Sequence, residues 1–125
     1  MEKKTYRLEM DKDEIYQALQ CIRLDITRDM EVMWEIAHEC IRDGEDWKPV
    51  VENQQKVIKY NIDLHNKMID QCRAQIAGRK SADEWNRLKD DMEAAGRTLD
   101  FYTQEIELDA KKAAISRRPK LDIVK

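Results

Sequence analysis

The longest heptad pattern of the chain is WNRLKDDMEAAGRTLDFYTQEIELDAKKA, which runs from Trp85 to Ala113. Alternating steps of three and four residues reach apolar or aromatic side chains at every position except Asp109. The positions are Trp85, Leu88, Met92, Ala95, Leu99, Tyr102, Ile106, Asp109 and Ala113. This spacing forms the a and d seam of a heptad repeat, so it predicts a long helix that packs against other helices.

Two further seams precede this one. The first has a four-residue stutter after Ile26 and comprises Ile15, Leu19, Ile22, Ile26, Met30, Met33, Ala37 and Cys40. The second comprises Val51, Gln55, Ile58, Ile62, His65, Ile69, Cys72 and Ile76. Three seams joined by short connections predict an all-α fold, an antiparallel three-helix bundle or coiled coil of long helices.

Capping signals set the predicted boundaries. Asp11 and Glu14 match a capping box, Gly44 and Gly78 are C-terminal stops, Asp46 precedes the second helix, and Ser81 opens a Ser-x-x-Glu box. We therefore expect one domain over residues 1–125, with helices at 12–42, 48–77 and 82–116. Alternating side chains predict a short strand at 5–10, and residues 117–125 form a C-terminal tail.

Composition excludes several classes of protein. Charged residues make up 39% of the chain, aromatic residues only 6%, and the formal net charge is -3. Few glycines and prolines, with many charges, are typical of long helices with solvated outer faces. An odd number of cysteines without Cys-x-x-Cys spacing indicates reduced thiols rather than disulfides. No apolar run is long enough to span a membrane and no signal peptide is evident, so we expect a cytoplasmic protein.

Glu35 and His38 have the Glu-x-x-His spacing of di-iron bundles. A second such motif is missing, because Ile62 stands three residues before His65. We therefore interpret Glu35 and His38 as a solvated pair on a helix surface. The sequence offers neither a phosphate-binding glycine loop nor a catalytic triad. We expect no catalytic residue and no enzyme.

A zinc site is a second possibility, formed by His65 and Cys72 with Cys40 or Cys21 across the bundle. Zinc ligands usually come in closely spaced pairs, which this chain lacks. We favour a polar layer of Gln55 and His65 that fixes helix register, with the cysteines as small buried apolar groups. We thus expect neither a metal nor another cofactor.

The chain carries more apolar side chains than three seams account for. Besides Tyr6 and Leu8 of the predicted strand, the extra residues are Tyr16, Leu24, Trp34 and Ile41, then Val57, Leu64 and Met68, then Phe101, Leu108 and Ile115. Such a surplus marks an interface. We predict that Tyr6, Leu8, Trp34, Ile41, Phe101 and Leu108 bind a protein partner. A homodimer is the expected assembly, because the strand has no partner within the chain.

Lys111, Lys112, Arg117, Arg118 and Lys120 form a basic end that nucleic acid phosphates would attract. The run is short and follows acidic residues, so a favourable cationic end of the third helix explains it more simply. Nucleic acid is therefore not the expected partner, and a nucleic-acid-contacting accessory role is the lesser alternative.

The opening segment, residues 5–14 with the sequence TYRLEMDKDE, precedes an apolar helix. Over about 25 residues this resembles the start of small bacteriophage and mobile-element proteins, in which an extended strand and an acidic cap lead into a helix. The resemblance implies a non-catalytic protein that binds a host protein, including inhibitors of bacterial immunity such as anti-CRISPR proteins. The alternative function is a structural homo-oligomeric coiled coil without a regulatory target.

Overall fold

The computed structural model describes residues 3–6, 8–75 and 79–116. It contains three long helices, α1 (Lys12–Asp43), α2 (Lys48–Gln75) and α3 (Arg79–Ser116). All three pairs of helices pack against each other. The expected all-α three-helix bundle is therefore confirmed.

The direction of each helix follows from the side-chain pairs between helices. Lys12 lies 3.5 Å from Glu84 near the start of α1, and His38 lies 3.1 Å from Asp109 near its end, so α1 and α3 run parallel. In contrast, Gln55 near the start of α2 contacts Thr103 late in α3. The helices therefore run up, down and up, as short connections require.

Local signals in the sequence account for the ends of α1. The Asp11 side chain accepts the Glu14 amide, and the Glu14 side chain accepts the Asp11 amide, which completes the predicted capping box. Gly44 ends the helix with a positive φ of 75°, a conformation that costs other residues free energy. Asp46 accepts the Lys48 amide at 3.1 Å at the start of α2.

The seams form the core. The main cluster of buried side chains comprises Ile26, Met30, Met33, Ala37, Ile41, Val51, Ile58, Met92, Leu99 and Ile106. A second cluster of Leu19, Ile69 and Trp85 lies where α1 and α3 begin. Tyr16 stacks on Trp85 there, with ring centroids 5.1 Å apart. Burial of these apolar surfaces is the main stabilising contribution to such a fold.

Three structural expectations need correction. Among the described residues of the segment 5–10 no strand forms, and Tyr6 and Leu8 are 81% and 78% exposed, because an isolated extended segment has no neighbour for its backbone hydrogen bonds. The third helix begins at Arg79, so Ser81 lies within it instead of at its predicted start. Ile41 lies in the core instead of on the surface. The predictions for Gly78 and for residues 76–77 and 117–125 fall outside the described residues.

Candidate functional site: the face between α1 and α3

The side of the bundle opposite α2 is a groove between α1 and α3. Its volume is about 320 Å³, and its apolar lining includes Ile26, Met30 and Met92. Tyr102 lies along the same groove. Because α1 and α3 are parallel, the groove follows both helices, and its apolar floor is formed by buried side chains of the core.

An aromatic cluster continues from Tyr102. The Trp34 ring lies 5.2 Å from the Tyr102 ring and 4.2 Å from the His38 ring, measured between centroids. Phe101 lies 6.4 Å from Tyr102. We call Trp34, His38, Phe101 and Tyr102 the aromatic cluster. Tyr102 and Trp34 pack on the core, whereas Phe101 is 56% exposed, so the cluster joins the core to the surface.

Phe101 also belongs to an apolar stripe along α3. Leu108 and Ile115 follow it at intervals of seven residues, which keeps all three on the same side of the helix. They are 52% and 63% exposed. We define the α1–α3 face as the groove, the aromatic cluster and this stripe.

The six residues predicted to bind a partner lie in three different parts of the structure. Trp34, which is half-buried, and Phe101, which is exposed, both contact Tyr102, and Leu108 is exposed about two turns beyond Phe101 on α3. Tyr6 and Leu8 are exposed but precede the bundle. Ile41 is 8% exposed and therefore unavailable to a partner in the folded chain.

His38 and Asp109 form an interaction that the sequence did not indicate. Nδ1 of His38 lies 3.1 Å from Oδ2 of Asp109, which explains why an acidic residue occupies a seam position of α3. The expected pair of His38 with Glu35 does not form, since Glu35 is exposed and His38 points toward α3. His38 and Asp109 are 71 positions apart in the sequence, so no local pattern indicates this pair.

Charged side chains lie along the edges of the groove. Arg23 pairs with Asp91 across it, at 3.1 Å. Glu31 lines the groove, and within the described part of the chain neither it nor Glu35 forms an ion pair. Glu105 also lacks an ion pair among those residues and lies one helical turn from both Phe101 and Leu108. Arg97 lies one helical turn before Phe101 and Lys112 one turn after Leu108, and both are exposed, so charges of both signs flank the apolar stripe.

The predicted polar layer is present in part. Gln55 donates a hydrogen bond to the Thr103 hydroxyl at 2.8 Å, and Thr103 donates in turn to the Leu99 carbonyl. His65 is fully buried, and neither ring nitrogen has a hydrogen-bond partner among the described residues. Burial lowers the pKa of His65 below its ordinary value of 6.5. A neutral imidazole is therefore the form that the fold accommodates.

The cysteines do not gather around His65. Within residues 3–6, 8–75 and 79–116, no three histidine, cysteine or acidic side chains form a group suited to hold a metal ion. Cys72 packs on the second cluster, where burial raises the pKa of its thiol and so disfavours the thiolate. Cys21 is exposed and Cys40 is half-buried, each as a free thiol.

The second groove, between α2 and α3, has a different character. Its volume is about 500 Å³, and its lining alternates in charge, with Lys59 and Arg97 beside Asp63, Glu93 and Asp100. Only Ile62 and Leu99 are large apolar residues in that lining. This mixture is typical of a solvated surface, so the α1–α3 face is the better candidate for binding.

No protein family, curated protein or solved structure matches the chain. In the described helices, no segment is both long and apolar enough to cross a membrane. Function must therefore be inferred from the chain's own surface.

Proposed function

We propose that this protein is a non-catalytic binding module that recognises another protein through its α1–α3 face. The observation that carries the proposal is the exposed apolar stripe of Phe101, Leu108 and Ile115 beside a groove with an apolar floor. Contiguous exposed apolar surface is costly in water and usually marks an interaction site.

The aromatic cluster supports the same proposal. Tryptophan and tyrosine dominate the binding free energy of many interfaces because they bury large, rigid surfaces. Trp34 and Tyr102 are held by the core and by each other, so a partner would meet a preformed surface. A preformed surface loses little conformational entropy on binding.

The partner of such a module is a host protein if the resemblance at residues 5–14 holds, and a bacterial defence protein is then one candidate. Tyr6 and Leu8 are exposed, so they are free to pair with a strand edge of that partner. The contribution of Tyr6 and Leu8 to partner binding is separate from that of the α1–α3 face, and deleting residues 1–9 removes it.

Two pairs of surface substitutions test the proposal. Phe101→Ser with Leu108→Ser removes the stripe, and Val57→Ser with Tyr60→Ser removes comparable exposed apolar surface from α2. Each tagged variant is used to recover partners from the cells that naturally make this protein, and bound proteins are quantified by mass spectrometry.

The wild type and the α2 variant should recover the same partner, whereas the stripe variant should recover it at least about ten-fold less well. Equal recovery by all three would refute the proposal. Circular dichroism of each variant confirms that the helices are intact.

Self-association is the second candidate, favoured by apolar residues on the surface shared by α1 and α2. Ile36 and Val57 are 37% and 47% exposed, and Leu64 and Met68 are half-buried. A two-fold dimer through this surface would be a structural homo-oligomer. Light scattering over a wide concentration range tests it, since a constant mass of 14.9 kDa contradicts a dimer.

A further inference from the structure

We infer that His65 is a pH-sensitive hinge inside the bundle: its protonation opens the end that contains the second cluster and leaves the main cluster folded. Three observations support this opening. The core consists of two clusters, His65 lies between them, and its buried ring has no hydrogen-bond partner among the described residues. The opening does not require the proposed partner of the α1–α3 face.

The boundary between the two clusters crosses α1 and α3 at one level. On α1, Leu19 belongs to the second cluster and Ile22 packs on the main cluster. On α3, Leu88 packs on the second cluster and Met92 belongs to the main cluster. An ion pair across the groove joins α1 and α3 beside this boundary, which shows that the two helices are in register there.

On α2 the boundary coincides with His65. Ile62 packs on the main cluster, Ile69 belongs to the second cluster, and His65 is the seam residue between them. Its side chain is fully buried. A polar ring therefore stands where an isoleucine would join the two clusters, so less apolar contact is lost when the helices separate at this level.

Other polar atoms near this boundary also favour an open end. The side-chain oxygen of Asn66, next to His65 in the chain, and the indole nitrogen of Trp85 in the second cluster are both buried. Neither atom has a hydrogen-bond partner within the described part of the chain. A buried polar group without a partner costs free energy, and it forms hydrogen bonds with water once it is exposed. These hydrogen bonds offset part of the apolar burial that is lost when this end opens.

Proton binding by His65 is unfavourable while the bundle is closed. Burial has the largest effect on the pKa of His65 and lowers it. Asn66 and, from α3, Asp91 raise this pKa, whereas Arg23 of α1 lowers it. Arg23 and Asp91 also pair with each other at 3.1 Å, so opposite charges on the neighbouring helices act on the ring together. A proton on His65 would thus be a buried charge without a hydrogen-bonded partner.

Acid therefore favours the open end. In the open end the His65 ring is in water and takes its ordinary pKa of 6.5, which lies above its pKa in the closed bundle. The open form then binds the proton more tightly, so opening is unaffected well above pH 6.5 and increases as the pH falls below that value. Between about pH 7.5 and about pH 5.5 the equilibrium should shift toward the open form by up to about ten-fold.

Native-state hydrogen exchange of the full-length chain, followed for each amide by NMR, tests the hinge directly. The amides of Leu19, Ile69 and Trp85 report on the end, and those of Ile58 and Leu99 report on the main cluster. Exchange is measured at about pH 7.5 and about pH 5.5 in increasing urea. Division of the intrinsic exchange rate at each pH by the measured rate gives a protection factor for every amide.

Two variants remove the titration of His65, and a third serves as the matched control. His65→Leu completes the apolar seam, whereas His65→Gln keeps a polar side chain, so together they separate the loss of the proton from a change in packing. His38→Gln removes the other histidine of the chain, which contacts Trp34 beside the main cluster. Histidine is the side chain whose ordinary pKa lies in this pH range.

In the wild type and in His38→Gln, protection of the end amides should be lower and less sensitive to urea than protection of the main-cluster amides. Protection of the end amides should also fall at least about five-fold from the higher pH to the lower. In both His65 variants this fall should be less than about two-fold.

Other outcomes overturn the hinge in distinguishable ways. Equal protection and equal urea sensitivity in the two clusters would show that the bundle opens only as a whole. An end that opens separately but without a pH response in the wild type, or with the same response in a folded His65 variant, would refute the role of His65. A response that disappears in His38→Gln instead would assign the proton to the other histidine.

Discussion

Leu99 and Phe101 lie two residues apart on α3, and alanine substitution should impair a different property of the protein at each position. Leu99 is 1% exposed in the main cluster, whereas Phe101 is 56% exposed on the α1–α3 face. If the seam holds the bundle together and the stripe serves binding, the first substitution should damage stability and the second should damage binding.

The magnitudes follow from burial. Truncating a buried leucine costs about 2 to 5 kcal/mol, because apolar surface is lost and a cavity remains. A value of about 3 kcal/mol lowers the melting temperature of a domain of this size by about 12 °C. The Phe101→Ala substitution removes about 1 kcal/mol of stabilisation from partial burial and restores about 0.5 kcal/mol through the higher helix propensity of alanine. The melting temperature of this variant should therefore fall by only about 2 °C.

Thermal unfolding followed by circular dichroism measures both variants under the same conditions. Urea titration provides a second estimate of the free energy of unfolding at constant temperature. Equal losses of stability in the two variants would refute the assignment of Leu99 to the core and Phe101 to the surface. A stable Leu99→Ala variant would also contradict the seam on which the fold depends.

Three further variants test other parts of the structure. Asp11→Ala removes the capping box of α1 and should lower the free energy of unfolding by about 1 kcal/mol, as measured by urea titration; an unchanged value would contradict the cap. Gly96→Ala should raise the free energy of unfolding by about 0.5 to 1 kcal/mol, because an added Cβ meets nothing within 4 Å and alanine favours the helix; a loss would show that this space is occupied. Since burial lowers the pKa of His65, the unfolded chain binds its proton more tightly, so stability should be complete above about pH 6.5 and decline as the pH falls below that value. The decline between about pH 7.5 and about pH 5.5 should be smaller in His65→Leu, and an equal decline would assign it to other groups.

The helices were predictable because their signals are local. The heptad spacing of α3, the capping box at Asp11 and the stop at Gly44 each lie within a few residues of the structure that they specify. The predicted helices are present in the fold, with small differences at their ends. In contrast, the predicted strand depended on a partner segment, and its alternating side chains carried no information about one.

Ile41 shows why the end of a seam is harder to predict. The heptad reading placed Cys40 inward and Ile41 outward, yet Ile41 is 8% exposed and Cys40 is half-buried. An α-helix has 3.6 residues per turn instead of 3.5, so the buried side drifts away from a strict heptad. After the stutter at Ile26, that drift brings Ile41 into the core.

The candidate site was predictable only in part. Phe101 and Leu108 were identified as apolar residues in excess of the seam, which is a local property. The groove and the pair of His38 with Asp109 depend on how α1 lies against α3. Residues about 70 positions apart meet there, and their contact follows from packing that one sequence does not specify.

Site-specific photo-crosslinking in the native cells tests the binding face most directly. A photoreactive phenylalanine analogue replaces Phe101 in one protein and the exposed Tyr60 of α2 in another. The proposed binding face predicts that position 101 forms a covalent adduct with a different protein and that position 60 does not. An adduct at position 60 alone, no adduct at position 101, or an adduct between two copies of this chain at position 101 would contradict it.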